Sequence, residues 1–330
     1  MVPHLTFAVL LAFTQSTTAF LNIQGHNFLP TRHVKAHSVS TDGPTVKEQL
    51  QSLLAGAPDN ALVCPVSLEP LVKTTRFIGG ADPQYTCSRF GTIYRPGPVY
   101  LDLVPKEAAS TPIWERSLQE FVQTDFFRNP LIAFVYERGW RQGFANAGFP
   151  GIDKEFQLLQ DFWGEDVLKG TLLDMSCGSG LMSRKLAEYG SAARLFAADY
   201  SEVMLLETRR RFSDESSLAM PELVRCDVAR LPFATDALDG VHAGAALHCW
   251  PALEDGLREV CRSLTPGGKF FATTFQKGAY GVPSQVNDKG GPSFRFFERD
   301  ELEGLLKDAG FTEVSVELTG QGCLIAKCVK

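Results

Sequence analysis

No acidic residue occurs before Asp42 in this 330-residue chain, and no apolar run reaches the ~20 residues that cross a bilayer as a helix. The apolar stretch at residues 5–13 is too short for a mature span, but it suits the hydrophobic region of a signal peptide cut after Ala19. Residues 20–40 then carry Arg32, Lys35, three histidines and hydroxyl residues without an acid, the composition of a transit peptide. Residues 1–40 therefore read as a two-part leader, removed from the mature chain, with ordinary secretion as the alternative. Disulfide scaffolding is also missing from the pattern. Of the eight cysteines, Cys177, Cys226, Cys261 and Cys323 fall in or beside expected core elements at no framework-like spacing, which suits a reducing compartment.

Excess positive charge is absent too. Losing residues 1–40 would leave 30 Lys+Arg against 38 Asp+Glu, moving the formal charge from −6 to −8. A polyphosphate backbone would be repelled unless a local basic patch overcame that field, so nucleic acid is not the expected partner. There is no internal repeat. The one stretch of biased composition, residues 278–292, is rich in Gly, Pro, Ser and Asn and reads as a loop. The length remaining suits one large α/β domain with an appendage.

What the chain does contain begins at Leu172-Leu173-Asp174-Met175-Ser176-Cys177-Gly178-Ser179-Gly180. An apolar run leads into a turn whose small residues let the backbone bend and approach a ligand, and a helix is expected from Leu181. Such a turn serves either a dinucleotide or S-adenosylmethionine (SAM). A second apolar run ends at Asp199, about 20 residues on, where a carboxylate can accept from both ribose hydroxyls of an adenosine. A third, from Leu223, ends at Asp227, which could accept from an adenine amino group beside the Val228 backbone. A fourth, residues 237–243, runs through His242 into Gly244. Residues 253–264 show a helical period, the glycines at 267 and 268 are expected to stop that helix, and residues 269–275 resume as a strand. A helix near 298–309 is followed by two strands, 311–318 and 322–329.

On these residues the chain resembles the class I SAM-dependent methyltransferases. The resemblance implies an α/β, doubly wound, Rossmann-like seven-stranded sheet with an antiparallel last strand, and SAM as cofactor. By the same resemblance Asp174, Gly178 and Gly180 hold the methionine part, Asp199 the ribose and Asp227 the adenine. Ser176 stands where the family has glycine, and its hydroxyl is a candidate contact of the SAM carboxylate. Tyr200, Met204, Val228 and Gly244 complete the expected cofactor-binding set. A narrower likeness, through residues 126–130, 136–142, 148–151, 174–181 and 242–251, is to plastid methyltransferases of plants and algae related to the quinone-ring methyltransferases. Several of these are linked to plastid lipid bodies. The leader likewise resembles that of algae with plastids from secondary endosymbiosis.

Three regions follow from this reading: the leader, a small module at 60–104, and a methyltransferase domain at 112–330 with a helical lid at 112–165. In related enzymes the module resembles a zinc ribbon with two Cys-x-x-Cys knuckles. Here Ser67 and Phe90 replace the second cysteines after Cys64 and Cys87, so no metal is expected, tetrahedral zinc needing four strong ligands. Packing of Leu62, Phe90, Ile93, Tyr94 and Tyr100 is expected to hold its shape. In the lid, Tyr136 and Arg138 sit in the motif most specific to the subfamily.

Methyl transfer from a sulfonium is an in-line displacement, in which the protein chiefly aligns the acceptor. A phenol or enolisable carbon would also need a base, and His248, just after the fourth strand at the carboxyl edge of the sheet, is the expected imidazole, with Tyr136 as the second catalytic candidate. His242 reads as a core histidine and Cys177 as packing rather than nucleophile. The expected activity is methylation of a small apolar acceptor, a prenylquinone, pigment precursor or lipid-like ring, by a monomer in the plastid, with peripheral attachment to lipid bodies. The alternatives are a ribosomal-RNA methyltransferase and a non-catalytic SAM-binding lipid-body protein.

Overall fold

The computed structural model describes residues 61–74, 84–95, 97, 99–105, 148–278 and 295–330. The leader, residues 112–147 of the expected lid with Tyr136 and Arg138, and residues 279–292 of the expected loop lie outside these.

In the main body α1 (Ile152–Leu168) leads into β5 (Thr171–Met175), α2 (Leu181–Tyr189), β6 (Arg194–Asp199), α3 (Glu202–Asp214) and β7 (Glu222–Arg225). Then come β8 (Leu238–Ala243), α4 (Leu253–Ser263), β9 (Leu264–Phe275), α5 (Arg299–Asp308), β10 (Glu313–Thr319) and β11 (Cys323–Val329). The N-terminal module supplies β1 (Leu71–Thr74), β2 (Gln84–Cys87), β3 (Ile93–Tyr94) and β4 (Leu101–Asp102).

The large sheet runs β10-β11-β9-β8-β5-β6-β7-β4. β5 is central because it is apolar on both faces, with Leu172, Leu173 and Met175 all buried, as a parallel strand between helix layers must be. From β5 the chain proceeds to β6 and β7 on one side, then returns to β8 and β9 on the other. Right-handed crossovers in the two directions put helices on opposite faces and open a crevice where the order reverses, outside the carboxyl ends of β5 and β8. β11 runs antiparallel to both β9 and β10, as expected of the last strand.

Among the described residues the sheet has eight strands rather than the expected seven. The extra one, β4, comes from the small module and pairs parallel to β7 through Leu101 with Val224 and Asp102 with Arg225. A second departure concerns Pro266 to Gly268. Helix α4 already ends at Ser263, Leu264 is extended, and the glycines lie inside β9. Between the pairs Leu238 with Leu264 and Gly240 with Lys269, β8 advances two residues and β9 five, so the Pro-Gly-Gly stretch is a bulge.

In the module, the Cys64 and Cys87 turns share one backbone pattern. Cys64 N donates to Glu69 O and Leu68 N to Cys64 O; Cys87 N donates to Thr92 O and Gly91 N to Cys87 O. The Cys64 thiol lies 3.3 Å from the Tyr94 hydroxyl, and Ser67 Oγ lies 3.3 Å from Cys87 Sγ. The two turns match in backbone pattern, and two thiols, a hydroxyl and a phenyl ring do not make a zinc site. Among the described residues no group of three or more His, Cys, Asp or Glu could hold a metal ion. Contrary to expectation, Phe90 and Ile93 are exposed, while Tyr85, Tyr94 and Tyr100 are buried and supply the packing.

Candidate active site

The turn after β5 is built from left-handed backbone. Ser176, Gly178 and Gly180 have φ of 58°, 56° and 76°. Cys177 N donates to Ala198 O at the end of β6 (3.0 Å), and Thr208 Oγ1 of α3 donates to Gly178 O (2.8 Å). A Cβ on Gly180 would fall 2.6 Å from Thr208 Cγ2, so only glycine fits there. Ser176 tolerates its conformation with a side-chain partner: its Oγ accepts from Trp250 Nε1 (3.1 Å), the indole being buried. The hydroxyl expected at a ligand carboxylate is thus engaged by the protein.

Asp199 ends β6 half-buried, with Oδ2 accepting from Gly178 N (3.0 Å) and Oδ1 from Ser201 N (2.8 Å). Burial pushes its carboxyl up to about 6, opposed by the Ser201 and Gly178 N–H groups. Tyr200 lies beneath the Arg225 guanidinium, 5.5 Å from the ring centre, and its carbonyl accepts from Arg225 Nε. Met204 is buried in the first turn of α3, where Ser201 caps its amide. Asp227 caps the short 3₁₀ turn Val228–Arg230 by accepting from Ala229 N (2.9 Å), and the Val228 side chain packs inward, leaving its backbone at the strand end.

Between β5 and β8 opens a cleft whose empty space, open solvent at its mouth included, is about 710 Å³. Asp174 of β5 and Ser176, Cys177 and Ser179 of the turn after it line it, with Leu181 and Met182 of α2, His242 of β8, Gly244 and Ala245 just beyond β8, and Phe149, Gly151, Ile152 and Glu155 around the start of α1. Asp199, Tyr200, Met204, Asp227 and Val228 follow along the neighbouring strand ends, outside these walls. Glycine at 244 keeps the cleft open, since a Cβ there would lie 2.7 Å from His242 Cε1.

His242 is the residue that sequence reasoning undervalued. It is buried, yet it lines the cleft, with Nδ1 2.8 Å from Asp174 Oδ1 and Nε2 3.2 Å from Glu155 Oε1. Ser183 donates to the other Asp174 oxygen (2.5 Å), and Thr273 donates to Glu155 Oε1 (3.2 Å). Burial alone would suppress the imidazolium, but the Asp174 and Glu155 hydrogen bonds outweigh it and push His242 up to about 9. The findable signal was the strand register: Asp174 and His242 sit opposite one another at the ends of adjacent parallel strands.

His248 is buried in the short 3₁₀ turn Leu247–Cys249, edge-on to Phe275 at 4.8 Å and 6.4 Å from Phe296. Phe275 in turn meets Phe149 at 4.7 Å, so one ring stands between His248 and the cleft wall. Burial pulls its imidazole down to about 3, so it is neutral at physiological pH. Cys177 is buried, which drives its thiol far above the ordinary range and matches packing rather than nucleophilic duty.

A family model described as a methyltransferase domain matches residues 173–272, from β5 and its turn through β8 into β9. An uncharacterised chloroplastic methyltransferase of Arabidopsis thaliana is 36% identical over 265 residues, covering 76% of this chain and 72% of the relative. The chain belongs to the SAM-dependent methyltransferases. The demethylmenaquinone methyltransferase of Desulfitobacterium hafniense is 30% identical over 42% of this chain and 49% of its own length. The phosphoethanolamine N-methyltransferase 2 of Haemonchus contortus, solved with S-adenosyl-L-methionine, superimposes with a TM-score of 0.50 at 17% identity, over 65% of this chain and 60% of that one. That likeness establishes the methyltransferase fold. The site suits its cofactor: a cleft opens beside the left-handed turn after β5, and half-buried carboxylates stand at the end of β6 and just after β7. Among the described residues no helix of this methyltransferase is long and apolar enough to cross a membrane.

Proposed function

We propose that this methyltransferase acts in the plastid on a small apolar acceptor, a prenylated quinone, a pigment precursor or another lipid-like ring. The observation that carries the reading is the cleft wall of Phe149, Ile152, Leu181 and Met182, backed by Phe275 and Phe296. Such a wall excludes water and grips a hydrophobic ring without polar recognition. The match to a demethylmenaquinone methyltransferase supports a quinone-like acceptor, and the chloroplastic relative together with the leader-like residues 1–40 supports the plastid.

SAM, when bound, supplies a methyl group activated on a sulfonium. In this reading Asp174, Ser176, Gly178, Gly180 and Gly244 surround the methionine end. Asp199, Tyr200 and Met204 hold the ribose side, and Asp227 with the Val228 backbone the adenine. The protein's remaining task is to hold the acceptor in line with the methyl group. Tyr136, outside the described residues, is kept as a proposed catalytic residue on the resemblance alone. His248, the base expected from the sequence, is held down to about 3 by burial and stands behind Phe275, so we propose that it packs behind the cleft wall rather than taking the acceptor's proton.

The test is incubation of the purified protein with methyl-tritiated SAM and a plastid lipid extract, beside a parallel sample of plastid RNA. Label in a resolved quinone or pigment fraction is expected. Label confined to RNA, or firm SAM binding with no labelled lipid, overturns the proposal.

A further inference from the structure

The cleft is walled by three stretches of chain distant in sequence: the first turn of α1, the turn after β5 and the end of β8. The Glu155–His242–Asp174 chain of hydrogen bonds ties all three together. Helix α1 has no side-chain cap at its start, where Gly151 stands at φ 79°. Yet Glu155, one turn in, is only 6% exposed. A carboxylate so deeply buried costs several kcal/mol unless it is paired, and the partners that reach it are His242 and Thr273.

We infer that His242 is a positioning residue, a buried imidazolium that latches the first turn of α1 onto the ends of β5 and β8 and so sets the methionine end of the SAM pocket. The groups facing it are Glu155 from α1, Asp174 from β5 and the Phe271 ring from β9, stacked at 6.1 Å; Thr273 and Ser183 hydrogen-bond the two carboxylates from β9 and α2. Two carboxylates around one imidazolium leave a net negative charge at the cleft, complementary to a cationic cofactor. His242 titrates above the ordinary histidine value. The latch is therefore fully formed below about pH 6.5 and is lost as pH rises through about 9. The inference rests on the cofactor and not on the acceptor, so it can fail while the proposed substrate class stands.

The experiment measures SAM binding by calorimetry for the wild type, His242→Gln, Glu155→Gln and the double variant, with folding checked by circular dichroism. At pH 7 each single variant should bind SAM roughly ten- to hundredfold more weakly, the range for losing hydrogen bonds to a charged group. The double variant should be no worse than the weaker single one. The ratio of variant to wild-type Kd, from which the ligand's own titration cancels, should shrink from pH 7 toward pH 10. A purely structural role would leave that ratio constant. Nitrogen-15 NMR of the wild type should show His242 doubly protonated at pH 7.5, which serves even if His242→Gln does not fold. Folded variants binding SAM within twofold of wild type, a pH-independent ratio, or a neutral His242 at pH 7.5 would each overturn the inference.

Discussion

Replacing Gly180 by alanine isolates the cost of the cofactor turn, because two separable penalties meet at one atom. Gly180 has φ 76°, and its missing Cβ would lie 2.6 Å from Thr208 Cγ2. The left-handed backbone costs an L-residue roughly 1–2 kcal/mol, and forcing a methyl into a packed wall costs about 1–3 kcal/mol more. Gly180→Ala should therefore lose about 2–5 kcal/mol by urea denaturation. Thr208→Ser removes the offending methyl but keeps the hydroxyl that donates to Gly178 O (2.8 Å), and by itself should cost about 1 kcal/mol of lost burial. In the Gly180→Ala background the same change should relieve the overlap, making the double variant at least as stable as Gly180→Ala alone. The backbone penalty stays, because serine at 208 cannot alter the torsion at 180. Additive losses in the double variant would refute the steric part of this reasoning, and a Gly180→Ala protein of wild-type stability would refute both parts.

Ser176→Ala leaves the left-handed torsion and orphans the buried Trp250 N–H, so it should cost about 1–3 kcal/mol. Ser176→Gly also orphans the indole but relieves the backbone, and should be the more stable of the two by about 1 kcal/mol on thermal melting; the reverse order would show that φ 58° carries no strain. Lys269 Nζ donates to the Phe162 and Trp163 carbonyls (2.7 and 3.1 Å) where Gly164, φ 70°, breaks the α1 ladder. Lys269→Met should lose roughly 1.5–3 kcal/mol in urea denaturation, and a loss below about 0.5 kcal/mol would mean the kink needs no such cap. His248 stays neutral down to about pH 3 in the fold, whereas the unfolded chain takes a proton below pH 6.5. Stability should fall with pH across that window, by about 2 kcal/mol between pH 6.5 and 5. His248→Phe should remove that slope, and equal slopes in the two proteins would show that His248 is protonated in the fold.

The central sheet was legible because β5, β6 and β7 are apolar runs each followed closely by an acid, and a strand buried on both faces has no other way to appear in a sequence. The same logic placed Asp199 at the end of β6 and Asp227 just after β7. It failed where pairing across the sheet decides the outcome. His242 reads as a core residue until its register opposite Asp174 is known, and Glu155 looks like any acid in the first turn of a helix. The Pro-Gly-Gly after α4 is punctuation in either reading, and only the β8 register distinguishes a helix stop from a bulge in β9. The extra strand β4 spans two residues, too few to carry a period.

The small module is held together without a full set of zinc ligands. Its two turns keep matching hydrogen-bond patterns, and Cys64, Cys87, Tyr94 and Tyr100 are buried. The rest of its support comes from outside. At one end Val63 N donates to Pro232 O and Ala234 N to Ala61 O; at the other Leu103 N donates to Arg225 O and β4 pairs with β7. Arg225 stands at the centre of this docking. Its Nη1 donates to Asp102 Oδ2 (2.9 Å) while its Nε donates to Tyr200 O (3.0 Å), the residue next to Asp199. A surface-only ion pair at that spot would be worth at most about 1 kcal/mol. Here the guanidinium also tethers a backbone carbonyl and lies over the Tyr200 ring, so the module and the loop after β6 are fixed by the same side chain. The module is thereby tied to the loop after β6, and docking on the large sheet supplies support beyond the module's own small core.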